Sequence, residues 1–264
     1  MDTQLKGKTA LVTGSTGGIG FATARQLLAE GARVIINGRS QERIDQAIAR
    51  LKETHPEADV TGVVADFAHA EEVAAITRQV PRVDILINNV GIFAPKAFTE
   101  IPDADWLRFF EVNVLSGIRL SRFYFPLMLQ ANWGRIIFIS SESAVQIPEE
   151  MIHYGMTKTA QLAVSRGLAE LTRGTNVTVN TVLPGPTKSE GVADFVAALA
   201  REQQITAEQA EADFFRTARP TSIIQRFATV EEVANLVTYV ASPLSSATNG
   251  AALRVDGGVL KSAF

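Results

Sequence analysis

Two periods alternate along this chain. Near-continuous apolar runs rich in β-branched residues, at 9–13, 33–37, 60–65, 83–88, 135–140, 177–183 and 251–255, predict strands buried on both faces. Between them lie segments with apolar residues at helical spacing, at 21–30, 41–52, 70–79, 104–130 and 151–173. Strand-helix alternation of this kind predicts an α/β fold: one doubly wound parallel sheet, Rossmann-type, with helices on both faces and right-handed crossovers. No linker, repeat or low-complexity tract interrupts it, so residues 1–264 are expected to form one domain. Only 188–227 departs from the alternation. There Val192, Phe195, Val196 and Leu199 fall at helical spacing, and Thr206-Ala-Glu-Gln209 is a capping box opening a second helix that carries Phe214 and Phe215. Exposed, those two rings would be an apolar liability, so the pair of helices is expected to act as a lid rather than as surface decoration. Thr229-Val-Glu-Glu232 caps one more helix before the last strand.

Composition narrows the function classes. A net charge of −3, with 46% hydrophobic and 20% charged residues, argues against a nucleic-acid surface or a polybasic membrane anchor. The chain has no cysteine, which excludes disulfides, thiolate catalysis and Cys-ligated zinc. Its three histidines, His55, His69 and His153, lie in separate segments without metal-ligand spacing, so no metal is expected. The polar N-terminus leads straight into a strand and does not read as a signal peptide. No apolar run reaches the about 18 residues a membrane-spanning helix needs. The default is a soluble protein of a reducing, cytoplasmic compartment.

Candidate chemistry sits at the ends of the strands. The first strand runs into Thr13-Gly14-Ser15-Thr16-Gly17-Gly18-Ile19-Gly20 and then directly into a helix. Such a turn lets backbone approach a phosphate, and the helix N-terminus offers unpaired N–H groups to it. The spacing is G-x-x-x-G-x-G rather than the commoner G-x-G-x-x-G. At the end of the second strand stands Asn37-Gly38-Arg39-Ser40, an arginine with no carboxylate, which favours NADP over NAD; alternatively Arg39 decorates a helix start capped by Ser40. Tyr154 and Lys158 lie one helical turn apart on one face. An ammonium there is expected to lower the phenol's pKa towards the range of a useful general acid or base.

In their order and spacing these stretches resemble the short-chain dehydrogenase/reductase family over essentially the whole length, 3-oxoacyl carrier-protein reductases among its members. Gly14 to Gly20 match the family's T-G-x-x-x-G-x-G. Asp66, followed by Phe67, matches its aspartate near the adenine. Asn88-Asn89-Val90-Gly91 matches N-N-A-G, with Val90 for the usual alanine. Asn113 matches the catalytic asparagine, Ser141 the catalytic serine thirteen residues before the tyrosine, and Tyr154 with Lys158 the Y-x-x-x-K. Pro184-Gly185 with Thr187 resembles the segment beside the nicotinamide, and Asp256-Gly257-Gly258 the C-terminal turn.

The resemblance implies an NAD(P)-dependent oxidoreductase, NADPH favoured, moving a hydride between cofactor and a ketone or secondary alcohol. Tyr154 would act as general acid/base, Ser141 would polarise the carbonyl oxygen, and Asn113 would hold a water linking Lys158 to solvent. Lys158 would also hold the nicotinamide ribose. Cofactor contacts are implied at Gly14, Ser15, Thr16, Gly18, Ile19, Gly20, Arg39, Asp66, Phe67, Asn89, Gly91, Tyr154, Lys158, Pro184, Gly185 and Thr187.

Plainer readings stand beside these. Serines after a strand are common loop formers; spacing alone singles out Ser141, with Ser143 second. Asn113 could be a solvated helix residue and Asp66 a strand-terminating turn. His153 is expected to be a bystander near the pocket mouth, and Glu142, Glu149 and Glu150 a solvated rim. Ile92, Phe93, Gln146, Ile147, Met151 and His153 are the candidate pocket residues. The aromatic-rich helix with Trp106, Phe109, Phe110, Phe123, Tyr124 and Phe125, together with the Tyr154 helix, predicts a homodimer or homotetramer. The competing function is a dinucleotide-binding sensor or scaffold without turnover.

Overall fold

The computed structural model describes residues 2–263. The side chain of Phe195, counted above in the lid's apolar face, lies outside the described residues. Each expected strand forms, and among the described residues seven of them, β1 (Thr9–Val12), β2 (Arg33–Gly38), β3 (Val60–Val64), β4 (Ile85–Asn88), β5 (Gly134–Ile139), β6 (Val177–Pro184) and β7 (Ala252–Val255), pair in parallel in the order β3-β2-β1-β4-β5-β6-β7. The central strands β4, β5 and β6 are buried at every position. That is why they read as unbroken apolar runs rather than as an alternation.

Helices cover both faces. On one, α1 (Gly18–Ala29), α2 (Gln41–Thr54) and α9 (Val230–Ala241) enclose Val12, Ile36, Ile137 and Val182. On the other, α3 (Ala70–Gln79), α5 (Ser116–Gln130) and α6 (Ile152–Glu170) enclose Leu11, Leu86, Ile136 and Val179. Strand order reverses between β1 and β4, so the loops after these strands diverge and leave a crevice at the carboxyl edge of the sheet. The glycine turn and the Asn88–Gly91 segment both border it.

The long helix expected at 104–130 is helical throughout but not uniform. It begins as α4 (Asp103–Phe110), widens into a π-helical turn at Glu111–Leu115, and continues as α5. The widened turn carries Asn113, whose side chain bonds the backbone of Ile92 rather than its own helix. Such π-turns are often found at functional sites.

The two helices expected within 188–227 form. α7 (Glu190–Gln203) and α8 (Ala207–Thr217) follow β6, with the Thr206–Gln209 capping box in place. They have a small core of their own, Val196, Ala200, Ala210, Phe215 and Phe227. The rings of Phe214, Phe215 and Phe227 lie 5.0–5.2 Å apart. The N-terminal end of α7 meets the glycine turn: a Cβ on Gly17 would lie 3.0 Å from the Glu190 carboxylate.

Candidate active site

The turn after β1 is shaped by its glycines and by two asparagines. Gly14 and Gly18 have φ of +60° and +56°, a region that L side chains rarely adopt. At Gly20 a Cβ would sit 2.5 Å from the Gly14 carbonyl oxygen and 2.6 Å from Asn89 Nδ2, so glycine alone fits. Asn89 Nδ2 donates to the carbonyls of Thr13 and Gly14, at 2.9 and 3.1 Å, pinning the turn to the loop after β4. Asn37 does the same from β2, accepting from Gly14 N–H at 2.9 Å and donating to the carbonyls of Val63 and Ala65.

A cleft of about 740 Å³ runs from this turn, at Ile19, Asn89 and Gly91, past Ser141, Tyr154 and Lys158 to Pro184, Gly185 and Thr187, with Phe214 and Phe227 of the lid region over it. Ser141 stands two residues beyond the end of β5 and Tyr154 in the first turn of α6. Lys158, one turn on, is buried; its Nζ donates to the Ile139 carbonyl at 2.9 Å and lies 5.6 Å from the centre of the Tyr154 ring. Asn113 Oδ1 accepts from Ile92 N–H at 2.7 Å, and its Nδ2 donates to Ile92 O and Thr157 Oγ1, both at 3.0 Å. A Cβ on Gly91 would lie 3.2 Å from Lys158 Nζ and 3.6 Å from Asn113 Oδ1. Glycine at this position therefore keeps open the space between the amine and the amide.

The electrostatics correct one expectation. Lys158 does not bring the phenol's pKa down. Burial drives the Tyr154 pKa well above its ordinary value and the charge of Glu142 adds to that; hydrogen bonding with Ser141 and the charge of Arg219 oppose the rise without overcoming it. Desolvation also pulls Lys158 down to about 8, against a raising influence of Glu142. At about 8 the amine keeps its proton through most of the neutral range, but burial outweighs any pull it has on the phenol.

Comparison with known proteins decides the family. The profile of the short chain dehydrogenases matches residues 8–200. The chain belongs to that family. The uncharacterized oxidoreductase YvaG of Bacillus subtilis (strain 168) is 53% identical over 264 residues, covering 100% of both chains. The 3-oxoacyl-[acyl-carrier-protein] reductase FabG of Aquifex aeolicus (strain VF5) is 33% identical, covering 98% of this chain and 100% of its own. Among solved structures, L-sorbose reductase from Gluconobacter frateurii, complexed with NADPH and L-sorbose, superimposes with a TM-score of 0.92 at 30% identity, covering 99% of this chain and 100% of its own.

In this short-chain dehydrogenase several residues singled out by sequence have structural duties. Both Ser15 groups are spent: its N–H donates to Asn37 O and its hydroxyl to Val12 O, tying the end of β1 to β2. Phe67 buries its ring in the core beside Val63 and Val73, leaving only its backbone for a ligand. Asp66 accepts from Ala68 N–H at 2.9 Å, as a turn residue does, and its own N–H donates to Glu72. Ser40 caps α2 by accepting from Arg43 N–H, as the plainer reading had it. Arg39 nevertheless stays exposed, with no hydrogen bond or ion pair among the described residues. Thr16, half-buried, adjoins the same strand end: a Cβ on Gly38 would lie 2.5 Å from its methyl. Thr187 lines the cleft and donates to Gly185 O.

Three further expectations are corrected. His153 does not stand near the pocket mouth. It is buried beneath α4, its ring 4.1 Å from Phe109 and 5.9 Å from Trp106, and burial lowers its pKa. Of the candidate pocket residues, Ile92, Phe93 and Met151 line the cleft, whereas Gln146, Ile147 and His153 do not. Glu142 is no solvated rim residue. It is 4% exposed, accepts from the Ser141 hydroxyl at 2.5 Å, and is paired with Arg219 Nε at 3.0 Å. Arg219 also reaches Glu150 at 3.2 Å. Sequence reading passed over Arg219; the one signal was a lone basic residue between the lid's last helix and Pro220. Among the described residues no cluster of His, Asp or Glu could hold a metal ion, and no helix is long and apolar enough to cross a membrane.

Proposed function

We propose that this chain is an NADPH-dependent reductase of small ketones, able to run the reverse oxidation of secondary alcohols, with Tyr154 as the acid–base group. One observation carries the reading: Ser141 and the Tyr154–Lys158 pair come from two segments of sequence and line one cleft that begins at the glycine turn. The nicotinamide half of a dinucleotide suits that cleft, and the glycine turn and Arg39 suit the rest. The orphan N–H groups at the start of α1 suit a pyrophosphate, and the unpartnered Arg39 suits a ribose 2′-phosphate. Lys158 Nζ has two donors left beyond its bond to Ile139 O, enough for the nicotinamide ribose. When bound, the cofactor supplies the hydride.

The chain's own residues supply the rest. As a carbonyl oxygen gains charge, the Tyr154 hydroxyl gives it a proton and Ser141 Oγ holds it with a second hydrogen bond. A phenol held neutral by burial is suited to donating in this direction. A water in the space above Gly91, between Asn113 Oδ1 and Lys158 Nζ, would return the proton from solvent. A dinucleotide sensor would need neither this space nor a serine and phenol aimed into one cleft.

The cleft wall also bears on the substrate. It carries Glu142, Glu149, Glu150 and Asp213 against Arg219 and Lys158. Arg219 is already paired with two of those carboxylates. An uncharged, hydroxyl-bearing ketone, of the kind that L-sorbose represents, suits such a wall better than an anionic substrate. The test is NADPH oxidation against a panel holding keto-sugars, simple ketones, keto acids and a 3-oxoacyl thioester. Turnover is expected with an uncharged ketone and to fall by about 10²–10⁴-fold in Tyr154→Phe. A Tyr154→Phe variant with undiminished turnover would overturn the assignment.

A further inference from the structure

Glu142 and Arg219 belong to no motif that led to this site, yet they form its most buried ion pair. Arg219 closes the lid segment, its guanidinium 5.9 Å from the Phe214 ring, and reaches down to the residue next to Ser141. Both partners are less than a tenth exposed and both line the cleft. A buried pair of this kind is weak evidence of stabilisation, because desolvation consumes the Coulombic gain. Its geometry suggests another use. Ser141 has one hydroxyl proton, and that proton is given to Glu142 Oε2 while Ser143 N–H donates to Ser141 Oγ. To donate to a carbonyl oxygen, the Ser141 hydroxyl would have to rotate away from Glu142, so the state of that carboxylate bears on the site.

We propose that Glu142 and Arg219 form a lid-borne positioning pair, in which Arg219 docked on Glu142 fixes the carboxylate beside Ser141 and cancels the negative charge beside the Tyr154 phenol. Closing the lid thereby readies the site. The proposal rests on the reading of Tyr154 and Ser141 given above and deepens it. With Arg219 away, a bare carboxylate would hold the tyrosine neutral to still higher pH. With Arg219 docked, the charge beside the phenol is balanced. The charged groups facing Tyr154 are Glu142 after β5, Lys158 on α6 and Arg219 after α8. Glu149 and Glu150 ahead of α6 and Asp213 on α8 lie along the same cleft; Lys96 is engaged by Asp105.

The experiment needs no substrate. The chain has three tyrosines, Tyr124, Tyr154 and Tyr239, so ¹³C-tyrosine NMR of the full chain, with NADP present and the Tyr154 signal assigned through Tyr154→Phe, follows its ionisation directly. Glu142→Gln, nearly isosteric, is expected to bring ionisation about one pH unit or more below wild type, as loss of one close charge implies. Arg219→Met should move it the other way, Arg219→Lys should restore it, and Glu142→Gln with Arg219→Met should return it towards wild type. A merely structural lid contact would give no such opposed shifts. A Glu142→Gln titration indistinguishable from wild type over the accessible range, or moved upward, overturns the proposal even if Arg219→Met fails to fold. The activity of Tyr154→Phe tests the acid–base reading separately, so the two failures are told apart.

Discussion

Single side chains at this site are defined by what they have left to give. Ser15 and Asn37 stand where a cofactor contact is expected, yet their polar groups are consumed in joining β1, β2 and β3. Arg39, two residues beyond Asn37, is exposed and unpartnered among the described residues. A guanidinium with five free donors at the end of β2 matches a phosphate, and its loss from such a charged hydrogen bond is worth about 1.5–3 kcal/mol, tenfold or more in affinity. Arg39→Asp should therefore raise the Michaelis constant for NADPH by about that factor and improve NADH, because the new carboxylate repels a 2′-phosphate and accepts from a free ribose hydroxyl. The ratio of kcat/KM for the two cofactors reads this out, and an unchanged preference for NADPH would reject Arg39 as its source. The wager differs in kind from that on Glu142. Arg39 is legible in sequence because its meaning depends on one position after one strand. Glu142 acquires its meaning from Arg219, 77 residues away, and an isolated Glu beside serines looks like ordinary surface.

At the scale of elements, periodicity was a sufficient guide wherever burial alone shapes an element. Strands β4 to β6 are buried throughout, and their apolar runs say so. The Thr206 and Thr229 capping boxes are both formed, since each depends only on residues three apart. The π-turn at Glu111–Leu115 was not legible. Val112, Val114 and Leu115 carry the apolar pattern through it, and the partner of its Asn113 side chain, the backbone at Ile92, lies in another segment. The glycine turn shows which part of a motif carries the geometry. Gly20→Ala would set a methyl 2.5 Å from a backbone oxygen held by Asn89, and nothing there can yield cheaply. Gly17→Ala would meet only the flexible end of Glu190, at 3.0 Å. Gly20→Ala is expected to cost about 1–3 kcal/mol of stability, in the range of overpacking, and at least tenfold in NADPH affinity. Gly17→Ala should be milder on both counts. Thermal unfolding and NADPH fluorescence titration would compare them, and equal losses would remove the claim that the close approach at Gly20 sets the turn.

For the whole molecule, what remains unexplained by the sheet and its site is an apolar exterior on the helices that follow β4 and β5. Leu107 is 70% exposed and Phe110 and Phe123 are 37% and 38% exposed, all on the α4–α5 helix. Ile118, Arg122, Phe125 and Pro126 of α5 line a shallow groove with Val164 and Leu168 of α6. Helices α3, α5 and α6 already cover their face of the sheet, so these residues are surplus to the core. Apolar surface of this extent, lying on two adjacent helices, is characteristic of a surface that another subunit covers. With a net charge of only −3, long-range repulsion between copies is weak and does not oppose association. Two copies related by a two-fold axis would bring the same helices together and cover both grooves at once. A homodimer or homotetramer is therefore expected by light scattering at micromolar concentration. Phe123→Glu, which places a charge on that surface without touching the cleft, should shift the population towards smaller species while leaving the far-ultraviolet circular dichroism unchanged. A wild-type chain that scatters as a monomer would sink this expectation. It would also leave Leu107, Phe110 and Phe123 in need of some other cover, since three large apolar side chains on one helix of an acidic protein are a standing hazard of aggregation.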